Sequence, residues 1–518
     1  MRQPEPSSPA TENPAGTALR SSLVMITVGT MLATLIQGLD MTISNVALPY
    51  MAGTFASSYD EATWVLTYYI IAAAIMTPPT GWLAARFGRR RLFLVSIVGF
   101  VVASVLCGMC QTLAQAIVAR ALQGMAGAAL TPLSQATLLD TYPRERHPQA
   151  MAIWGMGIML GPILGPTLGG WLTFDLSWRW VYYINVPIGA IAAAVVFFYV
   201  PETQRQQPPR FDLLGFCFLS TAVAGLQIVL DRGEIDDWFS SPTIVTWAVV
   251  GGTSFFLFLV QILLARDPFI RPDLFNNRNF VLGLFLNIVV SMLLMGTMSL
   301  FPPLLQDVLN FPVITVGLLL APRGIGTMAA MVVVGRFSKY IAPRFMILSG
   351  FFITAMAMHG MAGFSLQIGP REVLFYGVIQ GFGLGMIFPV LVSSSFATLS
   401  QARRVEAAGV YNLVRNVGSS VGISIMTALV DHNTQVNHSI IAQAVTPFSR
   451  SLFGTPASRF YDAFSVRGAA FLNNEVTQQA TMIAYIDDFK LMMILALIAS
   501  MAALLMPSVG GTPRRGSA

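Results

Sequence analysis

Long apolar runs alternate with short polar connections along this chain. About fourteen runs reach the roughly 20 residues that a helix needs to cross a bilayer: 22–48, 62–81, 92–110, 113–139, 150–172, 180–200, 213–230, 242–264, 280–301, 315–335, 345–365, 372–396, 408–430 and 489–507. The runs are unbroken and lack the two-residue alternation of barrel strands, so the pattern predicts α-helices. Basic residues crowd into every second connection, among them Arg86 and Arg89 to Arg91, Arg144 and Arg146, and Arg336, Lys339 and Arg344. That asymmetry places these connections on the inner side of the membrane and, with an even number of spans, both termini there as well.

Composition changes the picture little. Residues are 55% hydrophobic and 10% charged, and the mean hydropathy is +0.66. No soluble core absorbs that much apolar surface, so the class is an all-α polytopic membrane protein. The net charge of +6 is spread over short loops and reports orientation and lipid contact, not nucleic-acid binding. Cys107, Cys110 and Cys217 all fall in apolar runs. The CxxC they include has no His nearby and reads as small packing residues. With only Lys339 and Lys490 in the chain there is no phosphate-loop lysine, and no zinc pattern occurs. The expectation is a protein without cofactor or metal, not an enzyme, that draws any uphill work from an ion gradient. Residues 1–21 form a polar, Pro-rich tail without a signal-peptide core, expected to be disordered, cytoplasmic and uncleaved. Residues 508–518 form a second cytoplasmic tail.

The chain repeats itself. Gln123-Gly124 recurs as Gln380-Gly381, Pro132 as Pro389, and Gly161 and Gly165 as Gly418 and Gly422, each pair 257 residues apart. Gly81 recurs as Gly335, and a basic connection follows each copy. Two parallel six-helix halves, 22–200 and 280–507, therefore flank a linker, 201–279, that carries two extra spans. Such halves around a central cavity are a transporter design. The polar stretch 431–488 inside the second half is long for a connection and reads as an extracytoplasmic element or docking surface.

Charges inside spans single out the chemistry, because each is unfavourable by about 2.5–3.5 kcal/mol on insertion scales. Asp40 is the clear acid and Arg120 the clear base within the first six spans. At about 1.5 Å per residue both lie roughly 10–12 Å below the outer surface, facing each other across the cavity. Two readings stand: a proton-coupling pair whose contact changes with conformation, and a static pair that sets helix register. The repeat position of Arg120 is Gly377, so the architecture itself needs no base there. Arg323 and Arg415 also lie within spans, either lining the cavity or neutralising helix carbonyls. In the fifth span Gly157, Gly161, Pro162, Gly165, Pro166, Gly169 and Gly170 make a flat, kinked face, read as tight packing or as a hinge and seal between the halves.

At these residues the chain resembles the major facilitator superfamily, and more narrowly its 14-span drug:proton antiporters of the EmrB/QacA type. Gly81 through Arg86, Gly88, Arg89, Arg90 and Arg91 is similar to the family's inner-loop motif, which implies an inner gate. Arg120 with Gln123-Gly124 is similar to the fourth-span motif, which implies proton coupling. The Gly161-Pro162 to Gly169-Gly170 run is similar to the antiporter motif, and Leu39-Asp40 through Pro49 to the first-span motif. Leu230-Asp231-Arg232-Gly233 with Asp237-Trp238 resembles the same branch. Ala85 stands where the loop motif carries an acid, which removes the usual charge lock there.

The resemblance implies a proton-driven exporter of hydrophobic or amphipathic compounds working by alternating access in a bacterial inner membrane. Relatives of this type often use a periplasmic adaptor protein and an outer-membrane channel. A dedicated exporter of one metabolite, an uptake symporter and a non-transporting sensor or scaffold are the other readings.

Overall fold

The computed structural model describes residues 14–202, 210–268, 270–400, 403–444 and 466–506. Residues 1–13 and 507–518 of the tails, and 445–465 within the 431–488 stretch, lie outside the described residues. Every element described is helical: α1 (Pro14–Phe55), α2 (Tyr59–Met76), α3 (Thr80–Phe87), α4 (Arg89–Met109), α5 (Leu113–Gly127), α6 (Leu130–Thr141), α7 (His147–Asp175), α8 (Trp180–Tyr183), α9 (Asn185–Tyr199), α10 (Leu213–Arg232), α11 (Pro242–Leu264), α12 (Arg278–Pro303), α13 (Val313–Phe337), α14 (Pro343–Met361), α15 (Pro370–Phe396), α16 (Arg404–Ala444) and α17 (Val466–Ala503). Among the described residues eleven helices are long and apolar enough to cross a membrane, twelve if the bent pair α2–α3 is one span. Helix α7 packs on α1 and α13, and α17 on α14 and α16; neither is among those eleven or twelve, so the expected fourteen spans are not all seen by this measure.

Several boundaries differ from the sequence reading, each for a local reason. The second span bends by 57° between α2 and α3, where Pro78 and Pro79 withhold backbone donors. The fourth breaks between α5 and α6, just ahead of Pro132. Helix α1 does not stop at residue 48 but carries Pro49 within it and ends at Phe55. The 431–488 stretch is largely helix: α16 continues to Ala444 and α17 begins at Val466, so the last helix starts well before residue 489. Polarity hid this, because helix period and membrane hydropathy are separate signals.

Helices α1–α9 pack as one bundle and α12–α17 as another, with α10 and α11 between them. The two bundles use the same devices. Cβ atoms added at Gly161, Gly165 and Gly169 would strike α1. Those added at Gly418 and Gly422 would strike α12. Small residues let these helix pairs approach closely. The inserted α10 touches both bundles: Thr67 Oγ1 donates to Asp231 Oδ2 at 2.8 Å and Ser420 Oγ to Gln227 Oε1 at 3.0 Å.

Candidate functional site

Asp40, in α1, is fully buried. Three side chains from two further helices, α5 and α9, converge on it. Arg120 Nη1 donates to Oδ2 at 2.5 Å, Gln123 Nε2 to Oδ1 at 2.9 Å, and Asn185 Nδ2 to Oδ1 at 3.0 Å. Arg120 and Gln123 lie three apart on one face of α5 and bond each other at 2.8 Å. Asn185 opens α9, and its amide also donates to Ser104 Oγ at 2.9 Å, which donates onward to the Tyr182 carbonyl at 2.8 Å. The Arg120 guanidinium lies 4.3 Å from the ring centre of Tyr69 and 5.6 Å from that of Tyr182, a cation–π arrangement in place of water. Gly124 makes this possible: a Cβ there would fall 2.3 Å from the Tyr69 carbonyl oxygen, so only glycine lets α2 bring its ring over Arg120.

The sequence-predicted pair is therefore a direct contact sealed inside the first bundle, not two groups facing across an open cavity. Arg120 Nε and Nη2 have no hydrogen-bond partner. Among the described residues, rings and amides surround the pair in place of a full set of hydrogen bonds.

A family model described as the Major Facilitator Superfamily matches residues 30–423. The chain belongs to this superfamily. It is 32% identical over 472 residues to the fatty acid resistance protein FarB of Neisseria gonorrhoeae, covering 90% of this chain and 93% of that relative. It is 34% identical over 437 residues to the multidrug export protein EmrB of Escherichia coli K12, covering 83% and 84%. The solved structure of the human organic anion transporter MFSD10 superposes with a TM-score of 0.56 at 14% identity, covering 92% of this chain and 99% of that one, a likeness of fold alone. The chain is a multi-pass membrane protein of a transporter family.

In this facilitator the two bundles meet at the end that bears the basic loops. Asp140, the second-last residue of α6, bridges Arg89 Nη1 and Arg404 Nη1, each at 2.6 Å. Arg404 belongs to α16 of the other bundle and also donates to the Leu139 carbonyl at 3.0 Å. Asn412 Nδ2 donates to Gln135 Oε1 across the same seam at 2.8 Å. Trp154 stacks on Phe388, centroids 6.0 Å apart. A Cβ on Gly81 would lie 2.7 Å from Glu406 Cα. Ala85 supplies no acid at the loop, and the charge bridge between the bundles takes its acid from Asp140, in another helix.

The other loop residues divide by task. Gly88 has φ +91°, a backbone that favours glycine at the turn into α4. Arg90 donates to the Phe197 carbonyl and lies over that ring at 4.9 Å. Arg86 is exposed at this end.

The fifth-span glycines do not sit at the seam between bundles. Gly157, Gly161, Gly165 and Gly169 all press on α1 of their own bundle, against Met31, Gly38, Thr42 and Ile43, and Thr42 Oγ1 donates to the Gly161 carbonyl at 3.2 Å. Gly170 has open space around it. The side chains of Pro162 and Pro166 lie outside the described residues. Gly155, two residues before Gly157, faces Met331 of the second bundle. Arg323 is buried in α13, its Nη2 donating to the Leu294 carbonyl at 3.3 Å. Arg415 is half-buried in α16.

Sequence reasoning missed Asn185, Ser104, Tyr69 and Tyr182 at the Asp40 site, and Asp140 and Arg404 at the lock. Asn185 carried a usable signal, an amide at the start of an otherwise apolar run. Tyr69 and Tyr182 carried none, since aromatics are ordinary in membrane helices.

Proposed function

We propose that this protein is a proton-driven exporter of hydrophobic and amphipathic compounds, with Asp40 and Arg120 as its coupling pair. The observation that carries the reading is the sealed Asp40–Arg120 contact, held by Gln123 and Asn185. A proton that neutralises Asp40 leaves the Arg120 charge without its counter-ion in a ring-lined, water-poor site. A stranded buried charge is unfavourable by several kcal/mol, so protonation and helix rearrangement go together. Deprotonation restores the contact between Asp40 of α1 and Arg120 of α5. Each inward proton releases about 2.3 kcal/mol per 100 mV of membrane potential, besides its pH term. The names of the FarB and EmrB relatives support export and a broad substrate range.

The bundle is joined at its basic end by Asp140, Arg89 and Arg404, which supports the Gly81–Arg91 loop as the inner gate and an arrangement closed toward the cytoplasm. The crowding of basic residues into alternate connections supports cytoplasmic termini and a bacterial inner membrane as the setting. Helices α16 and α17 run beyond bilayer length: 41 residues in α16 span roughly 60 Å at 1.5 Å per residue, about twice the hydrocarbon core. His438 Nε2 and Asn473 Oδ1 meet at 3.2 Å between them, making a paired arm. That arm is the docking candidate for a periplasmic adaptor leading to an outer-membrane channel.

The test is reconstitution into liposomes with an imposed pH gradient and a pH-sensitive dye, screened against neutral and charged amphiphiles. A transported compound should dissipate the gradient with wild-type protein and fail to do so with Asp40→Asn. Undiminished proton-coupled flux in Asp40→Asn would rule out the coupling role.

A further inference from the structure

The stretch Leu230-Asp231-Arg232-Gly233 with Asp237-Trp238 closes the inserted helix α10, and it engages the first bundle. Asp231 Oδ2 accepts from Thr67 Oγ1 of α2 at 2.8 Å. The Arg232 guanidinium lies 4.1 Å from the ring centre of Trp64, also in α2. A Cβ on Gly233 would fall 2.6 Å from the Trp238 ring, so glycine leaves room for that ring to fold back over the helix end. There Trp238 Nε1 donates to Glu234 Oε2 at 3.0 Å. Just ahead of the other end of α10, Phe211 packs on Trp82 of α3, ring centres 4.9 Å apart. The first bundle therefore holds α10 near both ends.

The second bundle holds it differently. Gln227 lies one turn before Asp231 and donates to its Oδ1 at 3.3 Å. Its own Oε1 accepts from Ser420 Oγ of α16 at 3.0 Å. Both Gln227 and Ser420 are buried. Leu219 and Val223 share an apolar core with Phe280 and Leu284 of α12, a non-directional contact that can slide. Glu234 lies beside Asp431 of α16; above neutral pH two carboxylates there repel and add nothing to the hold.

Helix α16 packs directly on α3 and α6 at the basic end, whereas farther out α10 packs on both α2 and α16. When bundles rock as rigid units, opening the basic end alters the spacing of α2 and α16 beside α10. One helix cannot then keep both partners. A bond to a carboxylate, a cation–π contact and a ring pair tie α10 to the first bundle, against one neutral hydrogen bond to the second, so the second gives way.

We infer that α10 moves with the first bundle and latches the second: Gln227 grips Ser420 while the basic end is shut and releases it when that end opens. The Leu230–Trp238 stretch anchors the latch to α2. The inference concerns motion and not what is carried or what drives it, so it fails separately from the export reading.

The experiment follows maleimide labelling of Ala407→Cys, a residue fully buried at the inner seam. It uses the full-length protein with its three native cysteines replaced, in nanodiscs at pH 8, with neither substrate nor gradient. Ser420→Ala and Gln227→Met should each speed labelling about threefold or more, as the loss of one neutral hydrogen bond allows. The double variant should go no faster than the faster single one, because both changes cut the same bond. Thr67→Val breaks a bond that both arrangements keep, and should label at the parent's rate. Labelling of Ser420→Ala at the parent's rate overturns the inference, even if Gln227→Met does not fold. So does a rise in Thr67→Val as large as that in Ser420→Ala, which would make α10 a spacer held equally by both bundles, and so do additive effects in the double variant.

Discussion

Asp40 accepts hydrogen bonds from an arginine and two amides, and this mixture sets what each substitution does. Arg120 carries the compensating charge, whereas Gln123 and Asn185 orient the carboxylate and replace lost water. Removing an amide leaves the charges balanced; removing the acid does not. Asn185→Leu takes one donor from Oδ1 and the Ser104 link with it. It should lower proton-coupled flux by about tenfold or more, in line with about 1.5–3 kcal/mol for a hydrogen bond to a charged group, and leave the protein abundant in the membrane. Flux equal to wild type in the liposome assay would make Asn185 a packing residue. Asp40 and Arg120 were legible in the sequence because charges are rare at that depth and each demands a reason. Gln123 was legible beside Arg120 and Asn185 left a signal at the start of its span, but Ser104, Tyr69 and Tyr182 were not legible, because Ser and Tyr in spans are common and carry no distinctive spacing.

At the scale of elements, α7 shows how four-residue spacing becomes a backbone contact. The Gly161 position leaves no room, since its Cβ would lie 2.7 Å from the Gly38 carbonyl carbon, while nothing lies within 4 Å of a Cβ at Gly170. Gly161→Leu should push α1 off α7 and destabilise the bundle by at least the 1–3 kcal/mol typical of overpacking, about a few degrees of melting temperature in detergent. Gly170→Ala should melt as wild type does. A thermally unchanged Gly161→Leu would show that α1 and α7 separate readily. The glycine pattern announced a close contact, but which helix fills it depends on how the chain returns in space, and α1 is more than 100 residues away. The arm of α16 and α17 belongs to this scale too. Replacing 437–472 with a short Gly/Ser linker should leave flux in liposomes intact and reduce resistance of whole cells. Full resistance in cells would count against docking there.

At the scale of the whole molecule, two bundles are held together at one end by a carboxylate shared between two arginines. Asp140 takes Arg89 from its own bundle and Arg404 from the other. Exchange between closed and open arrangements must break the second of these contacts, and a few kcal/mol is enough to shift the populations. With the three native cysteines replaced, a single Ala407→Cys at this seam, fully buried here, reports the opening. Adding Asp140→Asn should speed its maleimide labelling severalfold. Labelling at the wild-type rate would mean that the apolar seam, not the charge bridge, keeps this end shut. The sequence reading of Ala85 concerned the loop alone and said nothing of Asp140, which lies more than 50 residues on. Across a folded interface the acid can come from any helix that ends nearby.

Hydropathy, charge asymmetry and the 257-residue offset were enough, within the chain alone, to establish a helical membrane transporter built twice over. These are properties of composition along a line, and a bilayer reads them one span at a time. Three-dimensional packing alone decided that Asp40 and Arg120 touch, that Asp140 reaches Arg404, and that Arg323 enters no ion pair among the described residues. Each depends on which helix faces stand opposite one another, and burial makes those few ångströms govern where a charge can rest.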